Sequence, residues 1–195
     1  IFPDGFEGCT CEMREDFVEH RRELRDVLRH LTADADVRHL MLKQLHMDIT
    51  ARLHGPWRPL EEALHALSAP AKAVVDGAER EPLGTEAAVL VLQTLCSVLA
   101  EDGHLLQGGC HRQLFATFLN CASMYTALFH LARRAELGPR AAGFTAQTLA
   151  LARASLAWRE KPPDGPEAAY PFAAKQDHAG VICLLRLCGN CGQDA

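Results

Sequence analysis

The sequence carries too little positive charge for a protein that coats nucleic acid. Its 20 Lys and Arg residues are outnumbered by 25 Asp and Glu residues, which gives a formal net charge of −5. Binding to a phosphate backbone requires a clustered excess of Lys and Arg. The composition therefore favours protein partners and gives no direct signal for nucleic-acid binding.

The sequence also lacks an apolar run of the length that crosses a membrane. A spanning helix needs about 20 consecutive apolar residues. The most apolar stretch, residues 87–100, is shorter and includes Gln93, Thr94 and Ser97. We expect this stretch to be a buried core helix, and we expect no membrane partner.

The short motifs of common catalytic sites are missing as well. The sequence contains no GxxxxGK[ST] phosphate loop, no GxSxG nucleophile elbow and no HExxH zinc motif, although it has 10 histidines. The acidic pairs Glu15–Asp16 and Glu61–Glu62 do not indicate acid–base catalysis, because neighbouring side chains on a helix diverge by about 100°. We predict that these pairs lie on solvated faces. We therefore expect a protein that is not an enzyme, with no catalytic residue and no cofactor.

The 8 cysteines do not form the pattern of a small disulfide-stapled domain. Cys96, Cys121 and Cys183 lie inside apolar helical patterns, which is typical of small buried thiols. Such thiols persist in reducing compartments, where disulfides are rare. The placement of these cysteines therefore favours the cytoplasm and the nucleus.

Two close cysteine pairs leave a zinc site open as an alternative. Cys9 and Cys11 are about 175 residues from Cys188 and Cys191, whereas a strong zinc site has two pairs joined by a short finger. The adjacent Cys110 and His111 (written 110–111) point to different faces of a helix, so they do not indicate a catalytic pair. We predict no metal site; bound zinc in the purified chain would favour a zinc- or thiol-dependent enzyme instead.

Apolar residues recur throughout the chain at the spacing of amphipathic helices. A first helix is predicted over residues 15–31, and residues 32–34 connect it to a second helix that ends at Gly55–Pro56. These two helices should form an antiparallel hairpin. The predicted buried face of the first helix consists of Phe17, Leu24, Val27, Leu28 and Leu31.

Gly and Pro residues divide the rest of the chain into further helices. A third helix is predicted over residues 57–77, and Thr85 is the predicted N-cap of a fourth. Residues 161–167 are rich in Pro and Gly and predict a flexible loop. Later helices are predicted over residues 112–119, 122–136, 144–158 and 181–187.

About eight helices in pairs give a structural unit of about 40 residues, the length of HEAT and armadillo repeats. The fold class predicted is all-α, with a solenoid of helical hairpins as the leading architecture and a compact helical bundle as the alternative. We expect residues 1–195 to form one helical-repeat segment of a longer protein. At the end of such an array an apolar face is left uncovered, and in the first hairpin that face would include Leu24, Leu28, Leu40 and Leu45.

Two stretches resemble a known family. Residues 16–28 are similar to a helix of importin-β superfamily receptors in which an aromatic residue, here Phe17, precedes an aromatic-Arg pair and a Leu/Asp/Leu pattern. In the pair, Arg21 is present and His20 stands where most members have Tyr or Phe. Residues 57–72, which begin with Trp57 and contain Glu-Ala and Ala-Lys pairs, resemble the helix that begins the next HEAT hairpin in that family. The likeness is best to the exportin and bidirectional-importin branches and covers about residues 15–75.

This resemblance implies a HEAT-repeat segment of a nuclear transport receptor in the cytoplasm and nucleus. The implied partners are a Ran-type GTPase, cargo and nucleoporin repeats. The matched motifs pack one repeat on the next, so they assign no binding residue. A HEAT or armadillo scaffold of another cytoplasmic complex is the alternative function.

The residues that carry the resemblance also have direct structural interpretations. Phe17 and Leu24 are predicted to be buried, and Arg21 is predicted to pair with a neighbouring carboxylate or carbonyl group. Trp57 is predicted to bury a large surface at the hairpin junction. The residues predicted to have structural roles are Phe17, Arg21, Leu24, Leu28, Trp57 and Leu64.

Overall fold

The computed structural model of the chain describes residues 11–78, 80, 82–99, 112–129, 146–148 and 150. These residues are helical apart from the turns, and no strand occurs among them. The all-α fold class is therefore confirmed. The helices are α1 (Cys11–Leu31), α2 (Ala35–Ala51), α3 (Trp57–Leu67), α4 (Ala71–Gly77), α5 (Pro82–Val98), α6 (Arg112–Met124) and a 3₁₀ helix (Thr126–Leu128).

The turn between α1 and α2 lies where the sequence predicts it. The Asp34 carboxylate caps α2 by accepting hydrogen bonds from the backbone N–H groups of Asp36 and Val37, each at 3.0 Å. At the end of α1, the buried Arg38 guanidinium donates to the carbonyl oxygen of Thr32 at 3.1 Å. These three bonds satisfy backbone groups at the ends of the two helices.

The single helix predicted over residues 57–77 is wrong, because the chain breaks between α3 and α4 at residues 68–70. Pro70 has no N–H to donate to the preceding turn, and its ring clashes with the carbonyl four residues earlier. The Ala71 N–H bonds to Ser68 rather than to Leu67. The Leu67 carbonyl instead accepts a hydrogen bond from the buried hydroxyl of Tyr125.

The predicted N-cap at Thr85 is also wrong, since α5 begins at Pro82. Proline is favoured in the first turn of a helix, where its missing N–H would have no partner. The Thr85 hydroxyl donates to the carbonyl of Ala78 at 2.8 Å and so ties α5 back to the end of α4. A Cβ atom added at Gly84 would overlap the carbonyl oxygen of Gly77, so α5 approaches α4 backbone to backbone.

The separate helices predicted over residues 112–119 and 122–136 imply a break at Asn120, and this break does not occur, because α6 continues through Asn120 to Met124. Asparagine costs a helix interior only about 0.7 kcal/mol relative to alanine. Phe118, Leu119 and Cys121 around it are buried in the core, and this packing outweighs the low helix propensity. The 3₁₀ helix follows after one residue.

The core lies between the helices from α2 onward. Helix α2 packs chiefly against α5, and α3 packs chiefly against α6, with further contacts between α2 and α3 and between α4 and α5. None of the described side chains of α1, residues 15–31, belongs to the core cluster. The largest fully buried side chains are Leu42, Ile49, Leu60, Leu64, Leu67, Leu92, Leu95, Leu99, Leu114, Phe118 and Tyr125.

Several sequence predictions lie outside the described residues. They concern the loop at 161–167 and the helix at 181–187, together with most of the residues assigned to a helix over 144–158. The same holds for Cys9, Cys183, Cys188, Cys191 and the 110–111 pair. No helix in the described part of the chain has the length and apolar character needed to cross a membrane.

Candidate functional site

The most densely connected polar group of the described helices is the carboxylate of Glu61 on α3. Its Oε1 atom accepts hydrogen bonds from Arg21 on α1 at 2.9 Å, from Gln113 on α6 at 3.2 Å and from Thr117 on α6 at 2.7 Å. Its Oε2 atom lies 2.9 Å from the same Arg21 nitrogen. We call these four residues the Glu61 cluster. It joins α1, α3 and α6.

The burial of Glu61 explains why it needs these partners. Its side chain is only 5% exposed and that of Arg21 is 18% exposed. A buried carboxylate is tolerated when it is paired and hydrogen-bonded. The prediction that Glu61 lies on a solvated face is therefore wrong, whereas its neighbour Glu62 is exposed as predicted. The signal was present in the sequence, since Glu61 lies one turn before Leu64 on the apolar side of α3.

His65 lies one turn after Glu61, at the same junction of α1 and α3. Burial lowers the pKa of His65 from 6.5 to about 4, and the positive charges of Arg21 and Arg25 act in the same direction. The Glu61 carboxylate and a hydrogen bond with the Arg21 backbone oppose this shift. His65 is therefore neutral at physiological pH, which spares the junction a third positive charge.

A second polar contact links α2 with α5. The His46 Nδ1 atom lies 2.9 Å from the Thr94 hydroxyl, which donates in turn to the carbonyl of Leu90 at 2.7 Å. Nearer the N-terminus of α2, the His39 Nε2 atom lies 3.7 Å from a carboxylate oxygen of Glu86. These histidines take part in the packing of α2 against α5.

Some residues with predicted structural roles make the predicted contacts, and others are only partly buried. Arg21 pairs with a carboxylate as predicted, and its guanidinium also lies 5.5 Å from the centre of the half-buried Phe17 ring. Leu64 is fully buried. Trp57 is only half-buried, because it is the first residue of α3, although it does pack against the core. Leu28 is half-buried as well.

The prediction that Leu24 is buried is wrong, since 49% of this residue is exposed. Val27 and Leu31, predicted on the same buried face, are 55% and 56% exposed. The contact between Arg21 and Glu61 turns the Arg21 side of α1 toward α3. Helical spacing places Leu24, Leu31 and Val27 about 60°, 80° and 120° around the helix from Arg21, at the edge of this contact or beyond it.

Helix α2 has a corresponding set of exposed apolar residues. Leu40 and Met47, two turns apart, are 67% and 64% exposed, and Val37 is also exposed. Exposure of Leu24 and Leu40 agrees with an uncovered first hairpin, but Leu28 and Leu45 are partly buried, which contradicts that expectation for them. We use the name outer apolar face for these exposed apolar residues, which are Leu24, Val27 and Leu31 of α1 and Val37, Leu40 and Met47 of α2.

The thiols of Cys96 and Cys121 are not poised for reaction. Burial raises the pKa of the half-buried Cys96 thiol to about 11 and raises the pKa of the fully buried Cys121 thiol further. A thiol needs a lowered pKa to act as a nucleophile at neutral pH. Within the described ranges, no group of three or more His, Cys, Asp and Glu side chains is arranged to hold a metal ion.

No protein-family model, curated protein or solved structure matches this chain. The resemblance of residues 16–28 and 57–72 to importin-β superfamily receptors stays a prediction.

Proposed function

We propose that this chain is a non-catalytic helical-repeat segment that binds other macromolecules, and that it serves as part of a nuclear transport receptor. The observation that carries the binding proposal is the outer apolar face. Large exposed apolar surfaces on folded proteins are typical of sites where a partner binds. The nuclear transport assignment comes from the resemblance of residues 16–28 and 57–72.

The contacts of the buried Glu61 carboxylate support a structural role for this group. Arg21, Gln113 and Thr117 all donate to its Oε1 atom. These contacts hold the carboxylate between three helices instead of presenting it to a substrate. The polar groups at this junction connect successive helices, as expected of a protein that acts through its shape and its surfaces.

The pairing of helices supports a repeat architecture. If α3 and α4 are counted as one interrupted helix, the first hairpin is α1 with α2, the second is α3–α4 with α5, and the third begins with α6. The second helices of the first two hairpins, α2 and α5, then pack together, and the first helices of the second and third, α3 and α6, pack together. Such stacking of equivalent helices is typical of solenoids. Many small interfaces of this kind let a superhelix change its pitch, so that binding of a GTPase at one place can favour or oppose cargo at another.

A capture experiment tests the transport function. The immobilised chain of residues 1–195 is incubated with a Ran-type GTPase loaded with GTP and, in parallel, with GDP. We expect the amount captured to depend on the nucleotide. Equal capture of both forms, or none, would contradict the transport function and favour a scaffold of another cytoplasmic complex.

A further inference from the structure

The outer apolar face has an acidic border on α1. Leu24, Val27 and Leu31 follow one another at intervals of three and four residues, which places them in one stripe along the helix. Beside this stripe runs a second one with the same kind of spacing, and it consists of carboxylates. Its members are Asp16, Glu19, Glu23 and Asp26.

The exposed charges of α1 are predominantly negative. Glu19 and Asp26 contact arginines of their own helix, with distances of 3.7 Å to Arg22 and 3.1 Å to Arg29. Each arginine is three residues after its carboxylate. Around the helix, both arginines lie on the side of the acidic stripe that faces away from the apolar stripe. Exposed ion pairs of this kind are weak and leave their carboxylates hydrated. The edge of the apolar stripe therefore presents carboxylates to an approaching partner.

We propose that the outer apolar face binds a cationic amphipathic helix of another protein, with Leu24, Val27 and Leu31 contacting its apolar stripe and the acidic border contacting its Lys or Arg side chains. This proposal rests on the proposed binding function and adds the chemistry of the partner. A helix that lies on another helix presents its apolar side chains at the same three- and four-residue spacing. Lys and Arg beside that stripe complement the carboxylates and disfavour acidic partners.

The same border disfavours the other occupants. A second copy that paired its α1 antiparallel about a two-fold axis would bring the acidic border of one copy close to that of the other. A membrane surface rich in anionic lipid would be repelled by the same carboxylates, whereas helices that bind such surfaces carry Lys and Arg.

Two synthetic peptides test the proposal with the full chain. Both have an amphipathic helical pattern with Leu on the apolar side; the polar positions are Lys in one and Glu in the other. Fluorescence anisotropy measures the dissociation constant of each. We expect the Lys peptide to bind at least about tenfold more tightly than the Glu peptide, because like charges oppose the latter.

A matched pair of variants tests whether the apolar stripe is the contact. The double variant Leu24→Asp/Val27→Asp adds negative charge, which by itself attracts the Lys peptide, so a loss of binding reports the lost apolar contact. We expect a loss of at least about tenfold, since burial of such side chains dominates helix-in-groove binding. Val18→Asp is the control: Val18 is 43% exposed but lies on the other side of α1.

A second pair tests the charge. Glu23→Lys should reduce the preference for the Lys peptide over the Glu peptide, while Glu62→Lys, an exposed change on α3, should leave it unchanged. All these positions are exposed, and urea unfolding checks that each variant keeps the midpoint of the parent chain.

Four outcomes would overturn the proposal: equal binding of the two peptides, no binding of either, equal losses in Val18→Asp and the double variant, or a dimer that the double variant dissociates. The last outcome would identify a second copy as the occupant. The GTPase capture experiment uses neither peptide. If capture does not depend on the nucleotide but the Lys peptide still binds at the stripe, the transport function fails and this proposal stands.

Discussion

One nitrogen of Arg21 lies 2.9 Å from both carboxylate oxygens of Glu61, although 40 positions separate the two residues along the chain. This contact ties α1 to α3, and no described side chain of α1 belongs to the apolar core. Helix α1 therefore depends on a polar contact for its place beside α3 to a degree that α2, α3, α5 and α6 do not.

The variant Glu61→Gln should lower the free energy of unfolding by about 2–3 kcal/mol, because it removes the charge that compensates Arg21 and weakens bonds made to a charged group. Equilibrium urea unfolding measures the change. Glu62→Gln is the control, since Glu62 is exposed on the same helix and its replacement should change stability by less than about 0.5 kcal/mol. Equal effects of the two changes would contradict a special role for Glu61.

The low pKa of His65 predicts a loss of stability in mild acid. In the fold the pKa is about 4, whereas in the unfolded chain it is close to 6.5. The unfolded state therefore binds more protons between these values, and stability that is complete above pH 6.5 declines as the pH falls toward 4. The loss should reach about 3 kcal/mol.

The variant His65→Gln should lack this component. Unfolding by urea at pH 7 and at pH 4.5 gives the difference for the parent chain and the variant, so carboxylate titrations common to both cancel. His20→Gln, which changes an exposed histidine of α1, should keep the pH dependence of the parent. A parent-like pH dependence in His65→Gln would show that the histidine is not the responsible group.

Trp57 and Leu64 differ in burial, so their replacement by alanine should differ in cost. Replacing a fully buried tryptophan by alanine lowers the free energy of unfolding by about 3–5 kcal/mol. Trp57 is only half-buried, so we expect about 1–3 kcal/mol for Trp57→Ala. Leu64 is fully buried, and Leu64→Ala should cost about 2–5 kcal/mol. Urea midpoints of the two variants compare them directly, and a larger loss for Trp57→Ala would be the contrary result.

The hydroxyl of Tyr125 should have a measurable effect, because it bonds to the Leu67 carbonyl that the break at Pro70 leaves without a helical partner. Tyr125→Phe keeps the buried ring and removes only this donor. Thermal and urea unfolding should show a loss of about 1–3 kcal/mol, the cost of an unsatisfied buried group. Ser97→Ala removes a hydroxyl with an exposed bond on α5 and should change little.

The two glycines with described surroundings should respond differently to alanine. At Gly84 a methyl group would collide with the backbone of Gly77, whereas at Gly55 the nearest atom, the carbonyl oxygen of Arg52, lies at an ordinary 3.5 Å. Overpacking against backbone costs about 1–3 kcal/mol or more. Gly84→Ala should therefore lower the urea midpoint clearly, and Gly55→Ala should not. Similar midpoints for the two variants would contradict the close approach of α5 to α4.

Local rules predicted much of the fold. Apolar periodicity and the break at Gly55–Pro56 placed α1 and α2 within a few residues of their observed bounds, because these signals act through neighbours along the chain. The same periodicity joined α3 and α4 across Pro70 and separated α6 at Asn120. In both cases the outcome depends on the balance between a local preference and tertiary packing, which the periodicity does not contain.

The candidate site was less predictable for the same reason. The sequence predicts a carboxylate or a carbonyl partner for Arg21. Which group it is depends on the approach of two helices, because Arg21 and Glu61 are 40 positions apart. The donor Thr117 is 56 positions from Glu61. The rotation of α1 follows from this pairing, so the exposure of Leu24 could not be predicted from the pattern of α1 alone.

The crowding of three donors on the Oε1 atom of Glu61 has a mechanical consequence. Arg21 belongs to α1, whereas Gln113 and Thr117 belong to α6, and the atom offers them a limited number of lone-pair directions. Displacement of α1 would withdraw one donor, Arg21, and leave the two donors of α6 in place. Glu61 would still join α3 to α6 through Gln113 and Thr117, so α1 can be detached from this junction without separating the other two helices.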